Sequence, residues 1–221
     1  MTLGSHDSKV ITYRITTMPK QTFFNLPPDK REVIEQAALD EFAEYGFDNS
    51  NMNRIVSQSR IAKGSFYQYF EDKKDLYFHL IDVIVSEKMS MLEPLISTYE
   101  RNGFSYNFKE TFRIGLAFAD SKPKYYLLGE DFANKQPPFI KEFIEKYDPL
   151  ATDVYTKMLE YAREKDELLE DINIPLIASF ISPLVNETTI GLITRAVPKE
   201  QRDYVIGELI GFIERAVLKH K

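Results

Sequence analysis

Asn49–Phe70 reads NSNMNRIVSQSRIAKGSFYQYF, and the folding of this stretch decides the class of the molecule. It holds Arg54, Arg60 and Lys63 and no acidic residue, a charge of +3 over 22 positions. Asn51 is placed to cap a helix whose Met52, Ile55 and Val56 face inward. Ser59-Arg60-Ile61 reads as a short turn. A second short helix then covers about 62–70, with Phe66 and Phe70 four apart on its inner side. Two short helices joined by a turn of about three residues have helix-turn-helix geometry.

The flanks fit that reading. Pro27-Pro28 suits the first turn of a helix in which Ile34, Ala37, Ala38, Phe42 and Tyr45 form one apolar stripe. Gly46 closes it. That helix is acidic, with seven carboxylates against Lys30 and Arg31 between Asp29 and Asp48. Asp72 is expected to cap a longer fourth helix carrying Leu76, Leu80 and Ile84, with Asp75 completing a weak capping box and a bend near Pro94. Further helices are expected over 105–120, 124–134, 138–166, 173–195 and 198–219. No run alternates like a strand and no segment repeats. The chain is therefore expected to be all-α with about nine helices. The divisions are an arm over 1–27, poorly structured and polar, a three-helix head over 28–75 and a larger helical domain over 76–221. The boundary falls at the fourth helix, so the two domains share a rigid element.

Composition narrows the chemistry. The 221 residues carry a net charge of −6 and no Cys, which removes disulfides, thiolate nucleophiles and thiolate metal sites. A reducing cytoplasm suits such a chain. The most apolar run, 172–184, is too short for a membrane span, which needs roughly 20 residues, so no membrane partner is expected. His6, His79 and His220 lie far apart, and none follows a Glu by three positions. No phosphate-binding glycine loop or nucleophile elbow occurs, so an α-helical enzyme is disfavoured and no cofactor or metal is expected. A helical adaptor would leave the acid-free window without a cause. A carboxylate in that window would repel a polyanion, and the second helix of such a pair fits a DNA major groove.

At this point the sequence resembles a known family. Phe42-x-x-Tyr45-Gly46-Phe47, Ile55-Val56, Ile61-Ala62-Lys63-Gly64-Ser65-Phe66-Tyr67-x-Tyr69-Phe70 and Lys73-x-x-Leu76 are similar to the DNA-binding domain of TetR-like (TetR/AcrR) regulators. The resemblance implies that Lys63, Gly64 and Ser65 open the recognition helix. Lys63 and Gln68 are then the candidates for base edges, and Gly64 permits close backbone approach. Ser65, Tyr67, Tyr69 and Lys73 are candidates for phosphates, with Asn51, Asn53 and Arg54 where the preceding helix meets the backbone. On the residues alone, Tyr67 and Tyr69 read as half-buried packing. Two departures stand out. Arg60 occupies a turn position where many relatives have Gly, and Ala62 replaces a capping Ser or Thr. The resemblance also favours Met18 as the start.

For the remaining two-thirds it implies an effector site and a dimer. Aromatics crowd the middle of the chain. Phe108, Phe112, Tyr126, Tyr155, Asn186 and Glu187 are the candidate pocket for a small, largely apolar molecule. Asn186–Thr189 fit a dimer surface equally well. Two adjacent apolar stripes on the last helix, with Gly207-x-x-x-Gly211, suit a homodimer. Ile190, Val205, Leu209, Phe212 and Ala216 are its candidate contacts. The expected function is a cytoplasmic regulator, usually a repressor, whose paired heads hold a near-palindromic double-stranded operator until effector binding shifts the fourth helix.

Overall fold

The computed structural model describes residues 19–135, 140–185 and 187–219. Residues 1–18, the Pro137-Pro138 punctuation, Asn186 and His220 lie outside them, as does the side chain of Glu187. Among the described residues the regular structure is helical: α1 (Gln21–Phe24), α2 (Pro28–Asn49), α3 (Met52–Gln58), α4 (Lys63–Tyr69), α5 (Lys73–Ile96), α6 (Phe104–Ser121), α7 (Pro123–Lys135), α8 (Ile140–Glu164), α9 (Ile174–Leu184), α10 (Glu187–Ala196) and α11 (Arg202–Val217). The all-α expectation holds. Two elements differ from the sequence reading. α1 lies within the segment expected to be unstructured, and the single helix expected over 173–195 is two helices. Pro183 offers no amide to the last turn of α9, and Val185 leaves helical geometry. Residues 174–196 together are apolar and long enough to cross a bilayer on length and composition alone, and 40% of their most apolar 18-residue window is buried in the protein.

The local signals work as chemistry requires. Pro28 starts α2, and Gly46 breaks it at φ 70, a left-handed geometry that glycine adopts without penalty. The Asn51 side chain accepts the Asn53 amide at 2.8 Å and caps α3. Asp72 accepts the Asp75 amide at 2.8 Å, while the Asp75 carboxylate reaches back to the Glu71 amide at 3.0 Å. Arg60 takes φ 54 in the turn between α3 and α4, the conformation that its usual glycine would adopt freely. Ala62 precedes α4 with no side-chain cap.

The helices bury two clusters. One gathers Phe23, Ile34, Phe42, Ile55, Phe66, Phe70, Leu76, Tyr77, Leu80 and Ile84, together with Phe118, Leu128, Phe132 and Tyr147 from later helices. The other gathers Leu95, Tyr99, Phe104, Phe108, Phe112 and Tyr126 with residues of α8 to α11. A fully buried side chain of this kind contributes on the order of 2–3 kcal/mol. Thus α5 starts in the first core and ends in the second. α6, α7 and α8 also serve both, so the two units share four helices rather than meeting at a single boundary.

Candidate nucleic-acid interface

The head is built around α4, whose seven residues divide by face. Phe66 is buried, followed by Phe70 just beyond the helix, and Ser65 and Tyr69 are half-buried. Lys63, Gly64, Tyr67 and Gln68 are exposed, at positions i, i+1, i+4 and i+5 of one outward face. Tyr67 keeps half its surface in solvent despite an edge contact between its ring and Phe66. Tyr69 lies edge-on to Phe23 with ring centroids 6.2 Å apart, so it is partly a packing residue. Gly64 is informative because nothing inside the chain requires it. A Cβ built there meets no atom within 4 Å. A glycine in a helix nevertheless costs about 1 kcal/mol relative to alanine.

Two of the expected contacts have work inside the protein. The Arg54 guanidinium is held by the buried Glu41 carboxylate, with Nε at 2.9 and 2.8 Å from its two oxygens and Nη2 closer still. It also lies over the Tyr45 ring, 4.2 Å from the centroid. Tyr45 itself is exposed rather than part of the inner stripe. Burial pushes the Glu41 carboxyl up. The bonds from Arg54 and the Asn51 amide, with the charges of Arg54 and Lys73, outweigh that and hold it below the usual range. Lys73 Nζ donates to the carbonyls of Phe47 at 2.6 Å and Ser50 at 3.3 Å and sits over the Phe47 ring. It therefore ties the start of α5 to the end of α2, where cations stabilise exposed carbonyls. Arg54 and Lys73, expected at the DNA backbone, are thus both engaged within the protein as well, although 41% of the Arg54 side chain stays exposed. Asn53 remains exposed beside the capping Asn51.

The expected arm needs a correction. Residues 19–27 are ordered against α4, and Phe23 is fully buried with Phe70 and His79. Sequence reasoning missed both Phe23 and Glu41. The Phe23-Phe24 pair in a polar stretch was the available signal for the first. His79 is packed, with Nε2 2.7 Å from Glu35.

In the second unit the structure brings Phe108, Phe112, Tyr126 and Tyr155 into one cluster. Phe108 stacks on Phe104 and lies edge-on to Phe112 and Tyr155. Glu130 is buried and paired with Arg195, so its charge is already compensated. Of the candidate dimer contacts, Phe212 is 63% exposed and Ala216 is exposed, while Val205 and Leu209 are half-buried. Ile190 is corrected, since it is buried in the chain's own core, where it packs against Gly115. The inner stripe of α11 is Ile206, Ile210, Ile213 and Val217.

A polar face on the second helix of an α3-turn-α4 pair, mounted on a compact head, is the architecture of a helix-turn-helix DNA-binding protein. Comparison with known proteins names the family. Residues 34–80 match the model of bacterial regulatory proteins of the tetR family. An HTH-type transcriptional regulator of Staphylococcus aureus is 26% identical over 164 residues, covering 68% of this chain and 81% of the relative. The crystal structure of a TetR family transcriptional regulator from Chloroflexus aurantiacus is 26% identical, with a TM-score of 0.68, and covers 92% of this chain and all of that one. The fatty acid degradation regulator FadR of Bacillus halodurans shares the fold, with a TM-score of 0.68 at 16% identity over 89% of this chain and 99% of its own. The head over residues 34–80 is thus that of the tetR family, and the chain as a whole is similar to TetR-family transcriptional regulators, which are DNA-binding proteins rather than enzymes.

Proposed function

We propose that the protein is a cytoplasmic homodimeric repressor that leaves a near-palindromic operator when a small, largely apolar effector enters the 76–221 unit. In this reading Lys63 and Gln68 contact base edges. Ser65, Tyr67 and Tyr69 contact phosphates, Gly64 allows the backbone close to the duplex, and Asn51 and Asn53 meet the flanking strand. The observation that carries it is the outward face of α4, where a glycine that no internal contact demands sits among exposed polar side chains.

The dimer reading rests on apolar surface that the chain leaves in water. Leu176 and Phe180 on α9, and Tyr204 and Phe212 on α11, are at least half exposed. Gly207 has open space where a Cβ would stand, so a partner helix could approach it closely. Twin heads would then read two half-sites. The effector reading rests on the aromatic cluster of Phe108, Phe112, Tyr126 and Tyr155, with Asn186 and Glu187 as polar candidates. α5, which joins both cores, would carry the change to the heads. Such a switch needs a coupling of about 1–3 kcal/mol.

The test is selection from a randomised duplex pool at low salt. A two-fold-related consensus bound by two copies supports the reading. Failure to enrich any duplex contradicts it.

A further inference from the structure

A helix leaves its last four carbonyls without partners of its own. In the seven-residue α4 these belong to Phe66, Tyr67, Gln68 and Tyr69. The Phe66 carbonyl accepts the Phe70 amide at 2.9 Å. The other three are met by the segment before α2. Lys20 Nζ donates to the Tyr67 carbonyl at 2.8 Å, the Thr22 hydroxyl to that of Gln68, and the Lys20 amide to that of Tyr69 at 2.7 Å. Phe23 pins the segment, fully buried with its ring 4.9 Å from Phe70 and 5.1 Å from His79.

We propose that residues 20–23 are a strap that sets the pose of the recognition helix, with Lys20 and Thr22 as positioning residues for base readout. Tyr67 and Gln68, whose side chains project from the outer face together with Lys63, are among the residues whose own carbonyls the strap holds. A side chain that must meet a base edge within a fraction of an ångström depends on such support. The reading unit therefore begins at Lys20 and not at Pro28. Lys20 acts through a backbone carbonyl, not as a phosphate contact. This inference rests on the outer face of α4 being the DNA-reading face.

The experiment uses the full chain with Thr22→Val, Thr22→Ser and Lys20→Met. Amide exchange over Ser65–Phe70 is measured first, without DNA. Each variant is then titrated with the duplex selected by the wild type and with a mixed-sequence duplex. Thr22→Val is expected to speed exchange in α4 and to weaken the selected duplex about five-fold, the worth of one net hydrogen bond. Mixed-sequence binding should stay unchanged, and Thr22→Ser should restore both properties. Lys20→Met should behave like Thr22→Val with an unchanged salt slope. Unchanged exchange would overturn the strap whether or not DNA binds. Faster exchange with undiminished binding to the selected duplex would overturn its role in readout. An equal loss on both duplexes, or a salt slope lowered by about one phosphate contact in Lys20→Met, would overturn it as well.

Discussion

The outer faces of α4 and α11 make an instructive pair. Each helix hides an apolar stripe, Phe66 leading to Phe70 in α4 and Ile206, Ile210, Ile213 and Val217 in α11. They differ in what they leave outside. α4 presents Lys63, Gly64, Tyr67 and Gln68, with no carboxylate anywhere between Asn49 and Phe70. α11 presents Tyr204 and Phe212 at 71% and 63% exposure. A face of hydrogen-bond donors around a bare glycine suits a polyanion. Large aromatics kept in water suit another apolar surface. What a helix buries reports on its fold, and what it leaves out reports on its partner.

Five substitutions would break or sharpen that contrast. Phe212→Asp should have the largest effect, because a charge on the apolar face separates the copies. Sedimentation should show monomers, and affinity for the selected duplex should fall about 100-fold through lost bivalency. Unchanged sedimentation would move the dimer contact elsewhere. Gln68→Ala should cost about 1–3 kcal/mol at one operator base and relax the preference there. Lys63→Ala should likewise relax the preference at the base that it contacts, and a randomised library that instead shows an equal loss on every site with a lower salt slope would reassign Lys63 to a phosphate.

Glu41→Gln tests the other kind of cation, the one used inside. It should lower stability by about 1–3 kcal/mol at neutral pH, since Arg54 loses its charged partner. The Glu41 carboxyl lies below its ordinary range when folded. Its contribution is therefore complete above the unfolded value of about 4.3 and is lost as pH falls through the folded value. The gap in Tm between wild type and variant should be widest near neutrality and close in acid. Arg60→Gly should have the smallest effect, a gain of about 1 kcal/mol, because it relieves a left-handed arginine. A thermal melt that falls instead would assign Arg60 a contact that compensates its strain.

Much of the head was legible in the sequence because its signals are local. Asn51 and Asp72 cap the helices they precede, Gly46 takes positive φ, and the Phe66–Phe70 spacing gives the inner side of α4. The departures at Arg60 and Ala62 were equally readable, since each concerns a single backbone position. What stayed hidden needed distant partners. Charge along the chain could not show that Arg54 is held by Glu41, 13 residues earlier, or Lys73 by carbonyls at the end of α2. Phe23 lies in a helix of four residues, too short to show a period. Two apolar stripes side by side on α11 did not say which faces inward, and Ile190 was placed on the wrong side for a similar reason.

The central claim is that the outer face of α4 lies against duplex DNA, and Gly64→Leu addresses it most directly. The site has open space inside the chain, and leucine is the better helix former, so the melting temperature should stay level or rise. Affinity for the selected duplex should fall steeply in the same preparation, because the added side chain meets the DNA backbone. A stable Gly64→Leu protein that binds that duplex as tightly as the wild type would contradict the account.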